Sequence, residues 1–237
     1  MTKRSDSSNP ANLAATAILD IQHEEIQRIA AMLLQSHEAS LPFLREAHLH
    51  LVETLCSVYS VNEWQPASIT LRRGQGSCSQ RIAVLEAIAR AAGIPTRVHA
   101  FGVKGSFWYP RFRVTRLFVP KCILLLWPQF LVGEQWADFD ELHAAADQMA
   151  ARAAGGFTNT GESLFEAVAN TPIDFLGKTC GLACAGPEHD LSRFLVTNFG
   201  LFDTRDEAFD RLGSFQHTLR GRAFELVFGG CKSRNAN

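Results

Sequence analysis

The sequence predicts an α+β domain built around one cysteine-bearing helix. Residues up to about 55 and beyond 141 carry helical patterning, whereas residues 96–140 alternate or run apolar in the manner of strands. Helices, then a small antiparallel sheet, then helices again is the α+β order. The helix between the first two regimes is marked at both ends, and the rest of the chain is organised around it.

That stretch is Gly74-Gln75-Gly76-Ser77-Cys78-Ser79-Gln80, running to Gly93-Ile94-Pro95. Ser77 with Gln80 three residues later reads as a capping box. Cys78 is then the first helical residue, where unpaired N–H groups and the helix dipole favour an anion. Such a position stabilises a thiolate. Ile82, Leu85 and Ala89, flanked by Val84, Ile88 and Ala91, give the helix a broad buried face. Gly93 supplies a left-handed cap, and Pro95 forbids continuation. The same features suit a structural cysteine in a core helix, because free Cys is among the most buried residue types.

The chain has 237 residues, 46% of them hydrophobic, enough for one domain with a sizeable core. Its 23 Lys and Arg against 24 Asp and Glu leave a net charge of -1, which implies no nucleic-acid partner. The six cysteines have no framework-like spacing, and Met1 to Asn12 lacks the apolar core of a signal peptide. A cytoplasmic, reduced protein is expected. The run from Leu117 to Val132 is interrupted by Pro120, Lys121 and Pro128, so it reads as buried strands rather than a membrane span. Residues 1–12 are expected to be disordered, followed by a single domain over 13–237, with its core at 70–143 and a helical part at 144–230.

In chain order, a helix is expected from the teens to Ser36, with Ile26, Ile29 and Leu33 as its stripe. A second follows Ser40, with Pro42 in its first turn and Leu44, His48, Leu51 and Leu55 on one face. His48 and His50 are two apart and cannot share a helix face, which argues against a metal site there. Trp64 to Arg73 is a connector, extended at Ser68 to Leu71. Strands are expected at Thr96 to Val103, Arg111 to Val119, Cys122 to Val132 and Gln135 to Asp140, with a hairpin at Gly133-Glu134. The period of two puts Asp138 and Asp140 on one face. Helices are expected at Glu141 to Ala153, Glu162 to Asn170, Asp190 to Thr197, Thr204 to Leu212 and Leu219 to Phe228. Cys180 and Cys184, with His189 nearby, lack a clear fourth ligand and read as loop cysteines rather than zinc ligands.

A cysteine at a helix start, Gly93-Ile94-Pro95-Thr96-Arg97 after the helix, and Trp136-Ala137-Asp138-Phe139-Asp140 after a hairpin form an ordered set. It resembles the transglutaminase-like superfamily, whose core is papain-like, over about residues 70–143. Gly200-Leu201-Phe202-Asp203 and Asp206-Glu207-Ala208-Phe209 are similar to the C-terminal part of bacterial members. The resemblance implies a cysteine nucleophile at Cys78 and an orienting carboxylate at Asp140. It also implies a histidine base in a His-x-Trp pattern, but the strand reads Leu125-Leu126-Trp127-Pro128-Gln129. Leu125 stands where the histidine is expected, and Gln129 where a glutamate is usual.

Three readings follow. The fold has become a binding or scaffold protein; or another residue supplies the base, with His99 on a neighbouring strand the best candidate; or a helix-activated thiolate acts on an already activated acyl donor such as a thioester. The candidate catalytic residues are Cys78, Asp140, His99 and Asp138, with the Ser79 N–H or a nearby amide as an oxyanion donor. Gln75, Trp108 and Trp127 are candidates for substrate binding. No cofactor, metal or membrane is implied. The expected substrate is a small-molecule, peptide or carrier-bound acyl group.

Overall fold

The computed structural model describes residues 9–112, 116, 119–143, 163–170, 173, 175 and 191–232. Two helices open the fold, α1 (Glu24–Leu34) and α2 (Leu41–Thr54). A two-residue parallel pairing joins β1 (Cys56–Ser57) to β2 (Gln75–Gly76) around α3 (Ala67–Arg73). The central helix α4 (Cys78–Ala91) follows. Strands β3 (Thr96–Lys104), β4 (Cys122–Val132), β5 (Gln135–Asp138) and β6 (Leu195–Phe202) form one antiparallel sheet in the order β5-β4-β3-β6. Helices α5 (Leu164–Asn170), α6 (Arg205–Leu212) and α7 (Leu219–Phe228) complete the described elements. This is an α+β architecture with a small antiparallel sheet. Among the described residues no helix is long and apolar enough to cross a membrane.

The central helix forms as its sequence signals. Ser77 Oγ accepts from Gln80 N at 3.3 Å, and Gln80 Oε1 accepts from Ser77 N at 2.9 Å. Gly93 takes φ +84°, which only glycine adopts without strain. Ile82, Leu85, Ile88 and Ala89 are buried in the main core with Val98, Ala100 and Phe130 of the sheet. The helix is also buried on the sides that carry Arg81, Glu86 and Arg90. Each of these charges is met by partners outside the helix: Arg81 by Glu166, Glu86 by Arg205 at 2.5 Å, and Arg90 by Thr96 Oγ1 and four backbone carbonyls.

Several expectations are corrected. Order begins before residue 13: Pro10–Asn12 form a 3-10 turn, capped by reciprocal Asn9–Asn12 bonds, and Asn12 reaches Asp203 Oδ1 at 3.1 Å. Helix α1 starts at Glu24 rather than in the teens. Thr16 Oγ1 and Ile18 N donate to Asp206, which holds the preceding residues in turns. The connector expected to be extended at Ser68–Leu71 is helical. Asp20 Oδ1 accepts from Ser68 N at 3.0 Å, which caps that helix from 48 residues away, and Gly74 at φ +60° ends it. The helix expected at Asp190–Thr197 is instead a 3-10 turn leading into β6, which pairs with β3 from Val98↔Phe202 to Val103↔Leu195. A short apolar run does not distinguish strand from helix, and the open edge of β3 selects strand. Strand β5 ends at Asp138, and Asp140 lies in a 3-10 helix, Phe139–His143, so the two aspartates do not share a strand face. Arg111 and Phe112 lie after a 3-10 turn at Gly105–Trp108, not in a strand. Most of the strand expected to Val119, and the helix expected to Ala153, lie outside the described residues.

Candidate active site

Cys78 is half-buried and lines a cavity of about 160 Å³. The α4 hydrogen-bond ladder begins with Arg81 N donating to Ser77 O at 2.9 Å, so the N–H groups of Cys78 and Ser79 precede it at the positive end of the helix. A backbone hydrogen bond from Phe165 and the guanidinium groups of Arg81 and Arg111 also favour the thiolate. Burial, the largest effect, opposes them together with the nearby Glu166 carboxylate, and the Cys78 thiol is pushed up from its ordinary value.

The cavity walls come from distant parts of the chain. Leu124 and Leu125 arrive on β4, Trp108 and Arg111 on the loop after β3, and Val58 and Glu63 on the loop after β1. Ser163 and Leu164 come from the start of α5, and Phe224 from α7. Gln80 holds the wall in place: its Nε2 donates to Asn62 O at 2.9 Å and Ser60 Oγ at 3.2 Å. Glu225 then fastens α7 to the same loop, accepting from Ser60 Oγ at 2.8 Å and Val61 N at 2.7 Å. The side chain that caps the cysteine helix therefore also braces the loop facing it.

The other candidates separate from this cavity. Of the described residues, His99, Asp138, Asp140, Trp127 and Gln75 do not line it, whereas Cys78 and Trp108 do. The His99 ring lies against Phe101 at 4.2 Å, and its Nε2 bonds Asn198 Oδ1 at 2.8 Å on the β6 side. Trp127, read as a substrate contact, is buried, and its indole N–H donates to Asp140 Oδ1 at 2.7 Å. Burial pushes the Asp140 carboxyl up to about 7, with the Trp127 bond acting against that shift. Asp138 Oδ1 accepts from Gln129 Nε2 at 2.7 Å, and Gln129 Oε1 accepts from Arg97 Nε at 2.7 Å. Asp138 thus belongs to a structural relay along the sheet, ending where Arg97 stacks on Trp136 at 4.0 Å.

Two features were missed in the sequence. Glu63 lines the cavity and accepts from the Ser79 hydroxyl, and burial pushes its carboxyl up. His48 and His143 form a buried pair, His48 Nδ1 to His143 Nε2 at 2.8 Å. His48 Nε2 lies 2.7 Å from Phe165 O, an acceptor, so Nε2 carries the proton and His143 donates to Nδ1. Desolvation, then the neighbouring His143, lowers His48 to about 3. The 95 residues separating the pair hide it from any local pattern. Among the described residues no three His, Cys, Asp or Glu side chains gather to hold a metal ion. Cys180, Cys184 and His189 lie outside the described residues.

A nucleophilic residue type at the capped start of a buried helix, followed by an antiparallel sheet and a post-hairpin aspartate, is consistent with a transglutaminase-like α+β fold. The family model of the transglutaminase-like superfamily matches residues 27–141 of the chain. The match runs from α1 to the residue after Asp140, well N-terminal of the 70–143 core read from motifs. At the family level this is a cysteine-based acyl-transfer or protease-like fold. No curated protein and no solved structure matches the chain.

Proposed function

We propose that Cys78 accepts an acyl group from an activated donor such as a thioester and passes it to an amine, to water or to a carbon nucleophile. The observation that carries this reading is the position of the Cys78 thiol, at a helix N-terminus on the wall of a cavity that also contains Leu125. Leucine transfers no proton, so chemistry that depends on an imidazole base is disfavoured. A thioester removes that need. The Cys78 sulfur adds to the carbonyl, the Ser79 N–H is available to the oxyanion, and the donor's C–S bond breaks. The departing thiolate takes the proton that Cys78 gave up. Amide substrates, whose amine leaving group requires protonation, are disfavoured by the same logic.

A second reading, a non-catalytic binding member of the fold, is favoured by the Trp127–Asp140 bond, which occupies the carboxylate expected to orient a base. One experiment separates the two. The full chain is incubated with acyl-N-acetylcysteamine thioesters, and adducts are mapped by mass spectrometry. The exposed Cys56, Cys122 and Cys231 serve as internal references. Acyl transfer predicts an adduct on Cys78 ahead of those three, lost in Cys78→Ala. Its rate should still be climbing above pH 9, because burial holds the thiol up. Labelling of the three exposed cysteines with Cys78 untouched leaves the binding reading.

A further inference from the structure

The same cavity defines the class of acyl group, an inference that rests on the acyl-transfer reading above. The apolar part of its wall is formed by Val58, Trp108, Phe112, Leu124, Leu125 and Phe224, with Glu63, Ser79, Arg111 and Ser163 among the polar residues that also line it. Its volume is about 160 Å³. A cavity of about 150 Å³ lined by Leu, Ile and Phe holds one benzene-sized guest. The volume and the apolar part of the lining therefore match a group of roughly six carbons, the polar residues are left for its carbonyl end, and the Cys78 sulfur lies at the wall where that carbonyl would arrive.

We infer that the site takes a short apolar acyl group, aryl or of about six carbons, and gains nothing from a long fatty chain. Leu125 then has a positive role. The residue that stands where a histidine is expected is part of the apolar surface that recognises the acyl group. Apolar burial is non-directional and proportional to area, so each methylene that enters strengthens binding until the space is full. Beyond that length further methylenes stay in water. In the transfer the Cys78 S–C bond forms as the donor S–C bond breaks, and the Cys78 proton leaves with the donor thiol.

The test is a length series of N-acetylcysteamine thioesters on the full chain: acetyl, hexanoyl, benzoyl and dodecanoyl, with Cys78 acylation followed by intact mass. Hexanoyl and benzoyl are expected to react at least tenfold faster than acetyl, and dodecanoyl no faster than hexanoyl. Leu125→Ala enlarges the cavity and is expected to move the optimum toward longer chains. Equal rates across the series, a dodecanoyl optimum, or an unchanged profile in Leu125→Ala would overturn the inference while leaving acyl transfer intact. A separate binding measurement covers the case in which no thioester labels Cys78. Benzyl alcohol is expected to raise the melting temperature of the wild type but not of Leu125→Phe, whose ring fills the space. That shift would keep the apolar ligand class and overturn the chemistry; its absence from an unlabelled protein would overturn both.

Discussion

At the C-terminal end of α4, Arg90 donates to Thr96 Oγ1 and to the carbonyls of Thr96, Ala11, Ala14 and Asp203. One turn earlier Glu86 meets Arg205, both fully enclosed. At the N-terminal end the first residue, Cys78, faces a cavity, and the position expected to hold its base carries leucine. The same helix thus has one end in which each buried charge meets a partner and another whose first residue lines a cavity. The closed end draws on two distant segments, residues 11–14 and 203–205, together with nearby Thr96, to fix the helix. That fixity allows the open end to hold a thiol under burial that penalises its ionisation. The contrast teaches that the helix is fixed by buried charges at one end while the cysteine at the other end stands on a cavity wall.

The largest expected effect tests the closed end. Arg205→Leu leaves Glu86 buried without its guanidinium, and breaking a buried pair costs about 3–5 kcal/mol. Urea denaturation should show a loss of that size; a loss under 1 kcal/mol would remove the distinction between the ends. Next comes His48, which packs beneath the start of α5. Its pKa is lowered from 6.5 to about 3, so the folded protein keeps it neutral while the unfolded chain takes up a proton. The contribution is present above the unfolded value and is lost as pH falls. It amounts to about 2–3 kcal/mol between pH 6.5 and roughly pH 4.5. Denaturation midpoints across that window should fall more steeply in the wild type than in His48→Gln, and parallel curves would count against the buried pair. The smallest effect concerns Asp140, raised from 3.8 to about 7. Stability from its neutral form is present at low pH and lost as pH rises through the folded value. Asp140→Asn keeps an acceptor for Trp127 but cannot ionise. It should gain about 1 kcal/mol on the wild type between pH 6 and pH 8. No such gain would mean that Asp140 ionises freely in the fold.

The cysteine helix was legible because its signals are local. Ser77, Gln80, Gly93 and Pro95 act within a few residues of themselves, and the observed span, Cys78–Ala91, follows them. Strand β4 and helix α7 likewise match their expected bounds, Cys122–Val132 and Leu219–Phe228. What failed locally was decided at a distance. Asp20 capping α3, Asp206 holding residues 16–18, and the edge of β3 recruiting Leu195–Phe202 each join segments far apart in the chain. The candidate site divides the same way. Cys78 and Trp108 meet at one cavity, whereas His99 and Trp127, close to it in strand register, are engaged by Asn198 and Asp140.

By itself, then, the sequence determined the α+β order, the capped helix with its leading cysteine, and the resemblance to transglutaminase-like proteins, because capping, turn and periodicity signals act over short range. Only the tertiary structure decided that Arg81, Glu86 and Arg90 are interior charges, that Glu63 and Phe224 help form the cavity wall, and that His48 pairs with His143. Those outcomes depend on which distant groups share a desolvated volume. That is a property of packing, with no period in the chain to announce it.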